Sequence, residues 1–180
     1  MKNKTTLGVA VSLVSMAVLV SIALAEQNRF TLKAPNGVAF SEFRGYETWE
    51  TVAVSETDDE MKTILANPVM IQAYKEGIPG NGKPFPEGSV TVKIAWSKKP
   101  NAESPYSVTV PDKLKSISFI EKDSRRFPDT SGYGYAQFFY DATNDTFKPF
   151  GKDSSFARTC YQCHTIVKAK DYIFTGYPKR

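Results

Sequence analysis

The segment CYQCH, residues 160 to 164, holds both cysteines and the only histidine of the 180-residue chain, and it constrains the fold more than any other feature. It places two thiols three residues apart and an imidazole directly after the second. On a helix, residues three apart share a face, and the next residue turns toward the same plane. This is the spacing at which two thiols add to the vinyl groups of a haem while the imidazole ligates the iron. A structural disulfide of the same spacing has no use for the histidine. A thioredoxin-like redox pair belongs at the start of a helix that follows an early strand, not near the C-terminus. Zinc wants four ligands, and the chain has no further Cys or His to complete the set. We therefore read one covalently attached haem c, anchored by Cys160 and Cys163 and ligated on its proximal side by His164.

The first 25 residues stand apart from the rest. Lys2 and Lys4 precede an almost wholly apolar or small run, Leu7 to Leu24, which ends in the small-x-small pattern Ala23-Leu24-Ala25. We read residues 1–25 as a secretory signal peptide and 26–180 as one exported, periplasmic haem domain. The alternative is an uncleaved anchor, since a run of about 18 residues is at the lower limit for spanning a bilayer. The terminal pattern, with no basic cluster after it, favours cleavage. Of the 23 basic residues two lie in this segment, leaving a formal surplus of two over the 19 acidic ones. That is too little for a nucleic-acid surface. Aromatic side chains make up 13 % of the chain, enough to wall a large flat ligand or to pack a sheet.

The pattern along residues 26–180 predicts an α+β fold, mainly antiparallel sheet with a few peripheral helices. After an irregular lead-in to Phe40, strands are expected in YETWETVAVSE, MKTILAN, SVTVKIAW, SVTV running into KLKSISFIE, and YGYAQFFYDA. Asn67-Pro68 caps and starts a short helix over Val69 to Glu76, stopped by Gly77. A Gly/Pro loop covers 77–88. A loop rich in Asn, Asp, Lys and Gly leads to a last helix, about Ser154 to Lys168, capped by Ser154 or Ser155 and carrying the cysteine pair. The type of the terminal DYIFTGY segment is left open.

The far side of the iron is limited by subtraction. No second histidine exists, so two-histidine ligation is excluded. Met61 and Met70 are the only methionines outside the first 25 residues; each reads better as packing than as a sixth ligand, which leaves a five-coordinate iron open to a small molecule. In Ser89 to Trp96 the alternation puts Val90, Val92, Ile94 and Trp96 on one face and Thr91, Lys93 and Ala95 on the other. By pattern alone Lys93 is an ordinary solvent-facing lysine on a half-buried strand.

Taken together, GSVTVK, KDSRRFPDTSGYGYAQFFYD and CYQCHTIVKAKDYIFTGYPK resemble the cytochrome P-460 family, which includes the cytochromes c′-beta. The resemblance implies an antiparallel sheet, a homodimer, and a lysine from a TVTVK-like strand joined covalently to the haem edge; Lys93 matches it. It also implies hydroxylamine oxidation at an open distal site, with electrons passing to an acceptor cytochrome. In some members a distal glutamate stands where this chain has Ser118, and an arginine where it has Lys62. Ser118 is a poor base, and Glu121 is three positions off. The c′-beta members instead bind nitric oxide under a phenylalanine cap, for which Phe119, Phe127, Phe138 and Phe139 are the candidates. Arg125 and Arg126 are candidates for holding the haem propionates. A plain electron-transfer cytochrome using Met61 or Met70 is the third alternative.

Overall fold

A computed structural model describes residues 27–180; the proposed signal peptide lies outside the described residues. Its centre is a six-stranded antiparallel sheet in simple sequential order, β1 (Glu50–Glu56), β2 (Met61–Ala66), β3 (Val90–Pro100), β4 (Thr109–Lys122), β5 (Tyr133–Asp141) and β6 (Thr146–Pro149). The β-branched and aromatic runs of β3, β4 and β5 suit a pleated surface. The chain folds as the α+β architecture that its sequence predicts. One strand differs from expectation. Strand β6 falls inside the segment read as a loop, because four residues are too few for a clear alternation. It is held by pairing with β5 and by burial of Phe147. The strand through Thr109 to Lys122 runs on past Pro111, as expected from SVTV running into KLKSISFIE; Pro111 lies beyond the stretch paired with β5 and so removes no hydrogen bond to it.

Helix α1 spans Pro68–Lys75. The Asn67 side chain accepts from the Met70 N–H at 3.1 Å, and Gly77, with φ of 85°, ends the helix in the left-handed region. Helix α2 spans Phe156–His164 and continues as a 3-10 helix over Thr165–Lys170. The predicted serine cap is not used there. Instead the Asp153 carboxylate accepts from the Ser155 N–H at 2.8 Å, and a negative charge at that end also suits the helix dipole.

Each face of the sheet carries its own core. On one side Val92, Ile117, Phe119 and Phe138 pack against Phe40, Phe43 and Tyr46 of the lead-in segment. Phe43 stacks on Phe119 with ring centroids 3.9 Å apart. On the other, Ile64, Ala66, Tyr133 and Tyr135 pack with Met70 and Tyr74 of α1 and with Tyr172 and Ile173 of the C-terminal segment. Cys160 touches both cores, so α2 is seated on the sheet, chiefly against β5. Among the described residues no helix is long and apolar enough to cross a membrane.

Candidate functional site

Strand register assembles the site. Ile64 of β2 pairs with Lys93 of β3, Lys93 with Ser118 of β4, and Ser118 with Gln137 of β5. The neighbouring row runs Ala66, Thr91, Ile120, Tyr135. Alternation sends both rows to one face. A cavity of about 340 Å³ lies between that face, α2 and the C-terminal segment, and Lys93, Ser118, Tyr135, Cys160, Cys163 and His164 all border it. Clefts of roughly 300–1,000 Å³ are usual for small molecules and cofactors. The register thus brings together residues far apart in sequence, including Lys93 and the whole CxxCH motif.

Both thiols are free, Cys163 exposed and Cys160 half-buried. Burial pushes the Cys160 thiol up, while Lys93 pulls it down. His164 Nδ1 lies 2.6 Å from the Tyr172 carbonyl oxygen. A carbonyl only accepts, so Nδ1 carries the proton and the Nε2 lone pair is left for a metal. The ring is flanked by Tyr135 and Phe174, with centroids at 5.1 and 4.9 Å. Burial lowers its pKa, the Tyr172 carbonyl opposes that shift, and Lys93 adds to it. The neutral, ligating form is therefore favoured.

Lys93 is half-buried on this face rather than solvent-facing. Burial pushes its ammonium pKa down and Lys62 adds to the shift, with Glu60 and both thiols working the other way. Lowering a lysine pKa enriches the free amine, the nucleophilic form. Tyr135, missed at the sequence level, is 2 % exposed, and among the described residues its hydroxyl has no hydrogen-bond partner. Leaving a buried hydroxyl unpaired costs roughly 1–3 kcal/mol. An occupant carrying a polar acceptor would relieve that cost, and burial raises the phenol pKa so that it remains a donor. The alternation of YGYAQFFYD could have flagged Tyr135, since it shares a face with Gln137.

Other candidates fall elsewhere. Arg126 donates to Glu42 at 2.7 Å and to Glu121 at 3.0 Å, and Arg125 borders a separate cleft with Glu87 and Asp123; neither borders the cavity of the CxxCH motif. Lys62 is turned to Glu60 at 3.0 Å and to Thr57 at 3.2 Å. Met70, 1 % exposed, is packed with Ile71 and Tyr74, and Met61 alternates away from Ile64 on β2; neither borders the cavity. Phe119 and Phe138 are core residues of the opposite side, although Phe119 also borders the cavity between Ser118 and Ile120; Phe127 packs over Gly134, and Phe139 is paired with Phe150 at 5.5 Å. The phenylalanine brought to His164 is Phe174.

The thiol pair, the deprotonated imidazole nitrogen, the free lysine and the unpartnered phenol around one cleft suit a covalently held haem. A search of curated proteins finds no match to the chain. The family model for cytochrome P460 matches residues 43–175, which takes in every strand and the CxxCH helix, and the chain belongs to that family.

Proposed function

We propose that this chain is an exported mono-haem c protein that oxidises hydroxylamine at an open site beside the sheet face of β3 and β4. The family implies haem, and the two cysteines of α2 are compatible with its attachment. The observation that carries the reading further is Lys93, partly desolvated with a lowered pKa on the same cavity wall as CxxCH. When bound, the haem supplies a redox-active iron and a path for electrons to an external acceptor cytochrome. Cys160 and Cys163 fix its position, and His164 presents Nε2. The Lys93 amine is the group that would be joined to its edge. Thr91, Ser118 and Gln137 offer hydrogen-bonding groups to a small hydroxylated amine, while Ile64, Ile120 and Phe174 limit the water around it.

One observation favours a second reading. Among the described residues bordering the cavity there is no carboxylate, and hydroxylamine oxidation releases protons that a serine hydroxyl accepts poorly near neutral pH. A nitric oxide binder needs no such base. The ferrous optical spectrum and the denaturing mass of the haem peptide, for wild type and Lys93→Ala, separate the two. A red-shifted, broadened Soret band, with the Lys93 and CxxCH peptides held together through haem only in wild type, is the expected result. An ordinary c-type spectrum that Lys93→Ala leaves unchanged would make the unlinked gas binder the better account.

A further inference from the structure

Two charged residues outside the cavity face each other, Lys122 buried and Asp171 half-buried. Lys122, at the end of β4, is 8 % exposed, and its ammonium lies 3.2 Å from both oxygens of Asp171. The same carboxylate accepts from the Tyr133 hydroxyl at 2.7 Å and from the Phe85 backbone N–H at 2.7 Å. Lys122 also sits over the Tyr133 ring, 4.3 Å from its centroid. A buried ion pair adds little stability by itself compared with apolar packing. This one converges donors from three separate segments on a single carboxylate, which fixes Asp171 in space.

The fixed residue has a specific neighbour. Asp171 and Tyr172 are consecutive non-glycine residues in the left-handed region, with φ of 48° and 64°. Such a pair persists only where the surroundings over-determine it. The turn it makes aims the Tyr172 carbonyl at His164 Nδ1. From the other side, the Tyr172 phenol accepts from Ser131 at 2.9 Å, so the carbonyl is held at both ends of its residue.

We propose that Asp171, clamped by Lys122, Tyr133 and the Phe85 amide, is a positioning residue for the proximal histidine: it sets the backbone turn whose carbonyl orients the His164 imidazole and strengthens it as a ligand. The inference rests on His164 being the iron ligand. A hydrogen bond to the outer nitrogen of a ligating imidazole fixes its tautomer and ring plane and raises its basicity, and a more basic axial ligand favours the oxidised metal. Lys122 and Asp171 thereby acquire a shared task, although one lies in the KDSRRF segment and the other seven residues beyond His164.

The test compares Asp171→Asn, Tyr133→Phe and the control Asn67→Ala in the haem-loaded protein. Asn67→Ala removes the α1 cap and the Asn67 bond to the Gly88 carbonyl, loosening the fold away from His164. The readouts are the iron–histidine stretching band of the ferrous protein and the midpoint potential. The expected result is a lower-frequency or broadened band and a raised potential in Asp171→Asn, the same direction with a smaller shift in Tyr133→Phe, and wild-type values in Asn67→Ala. If Asp171→Asn does not accumulate, Tyr133→Phe decides. Wild-type values in Tyr133→Phe, or equal shifts in Asn67→Ala, would overturn the inference while leaving the proposed function standing. A wild-type protein with no haem on the CxxCH peptide would overturn both.

Discussion

Replacing Glu121 by Gln separates the two faces of β4. Glu121 is three residues after Ser118 and so alternates to the opposite side of the sheet, where Arg126 bridges it to Glu42. Its carboxyl is pushed up from 4.5 to about 7, first by burial and then by Glu42, with Arg126 opposing and Asp123 adding. A folded-state pKa above the unfolded one means that the folded protein holds this proton more tightly. The group's stabilising contribution is therefore full below 4.5, falls as pH rises toward about 7, and is lost above it. At about 1.4 kcal/mol per pKa unit the loss is on the order of 3 kcal/mol. Glutamine keeps an acceptor for Arg126 and removes the titration. Urea unfolding of the haem-loaded protein between about pH 5 and about pH 8 measures both proteins across the window. The stability of Glu121→Gln relative to wild type should rise by about 2–3 kcal/mol over that range, with the optical spectrum and hydroxylamine turnover unchanged. A pH-independent difference would refute the assigned burial. Altered turnover would show that this carboxylate serves the cavity after all.

Two further perturbations address the site and its frame. Ser118→Glu places a carboxylate beside Lys93 on the cavity wall and should raise hydroxylamine turnover by about tenfold or more if proton removal limits it; steady-state kinetics with an artificial electron acceptor decides, and an unchanged rate would exclude that step as limiting. Gly134→Ala sets a methyl 2.4 Å from Phe127 Cε2, an overpacking that should cost about 1–3 kcal/mol. Denaturant unfolding should show the loss, Phe127→Leu should restore part of it, and a neutral Gly134→Ala would mean that the ring moves aside freely.

Much of the frame is legible in single segments. The alternation of SVTVKIAW separates Lys93 from Val90, Val92 and Ile94 whatever lies on either side, and the Asn67-Pro68 start of α1 is local chemistry between a side-chain oxygen and one amide. Strand β6 is not legible, because four residues carry no period, even though its partner β5 ends at Asp141, paired with Thr146. The role of Ser154 or Ser155 as cap was also misplaced, since aspartate and serine compete for the same amide and only the backbone path selects Asp153.

The candidate site divides along the same line. Sequence by itself determined the thiol spacing and the adjacent imidazole, because that chemistry is contained within one helix turn. It also determined which face of its strand Lys93 occupies. Only the tertiary structure decided that this face is the one covered by α2, that Arg126 is taken by Glu42 and Glu121, and that among the described residues the Tyr135 hydroxyl has no partner. It likewise decided that Asp171 meets Lys122 and that the Tyr172 carbonyl meets His164. Alternation along a strand is fixed by backbone stereochemistry, but what covers each face depends on contacts between residues distant in the chain, whose pairing no local pattern encodes.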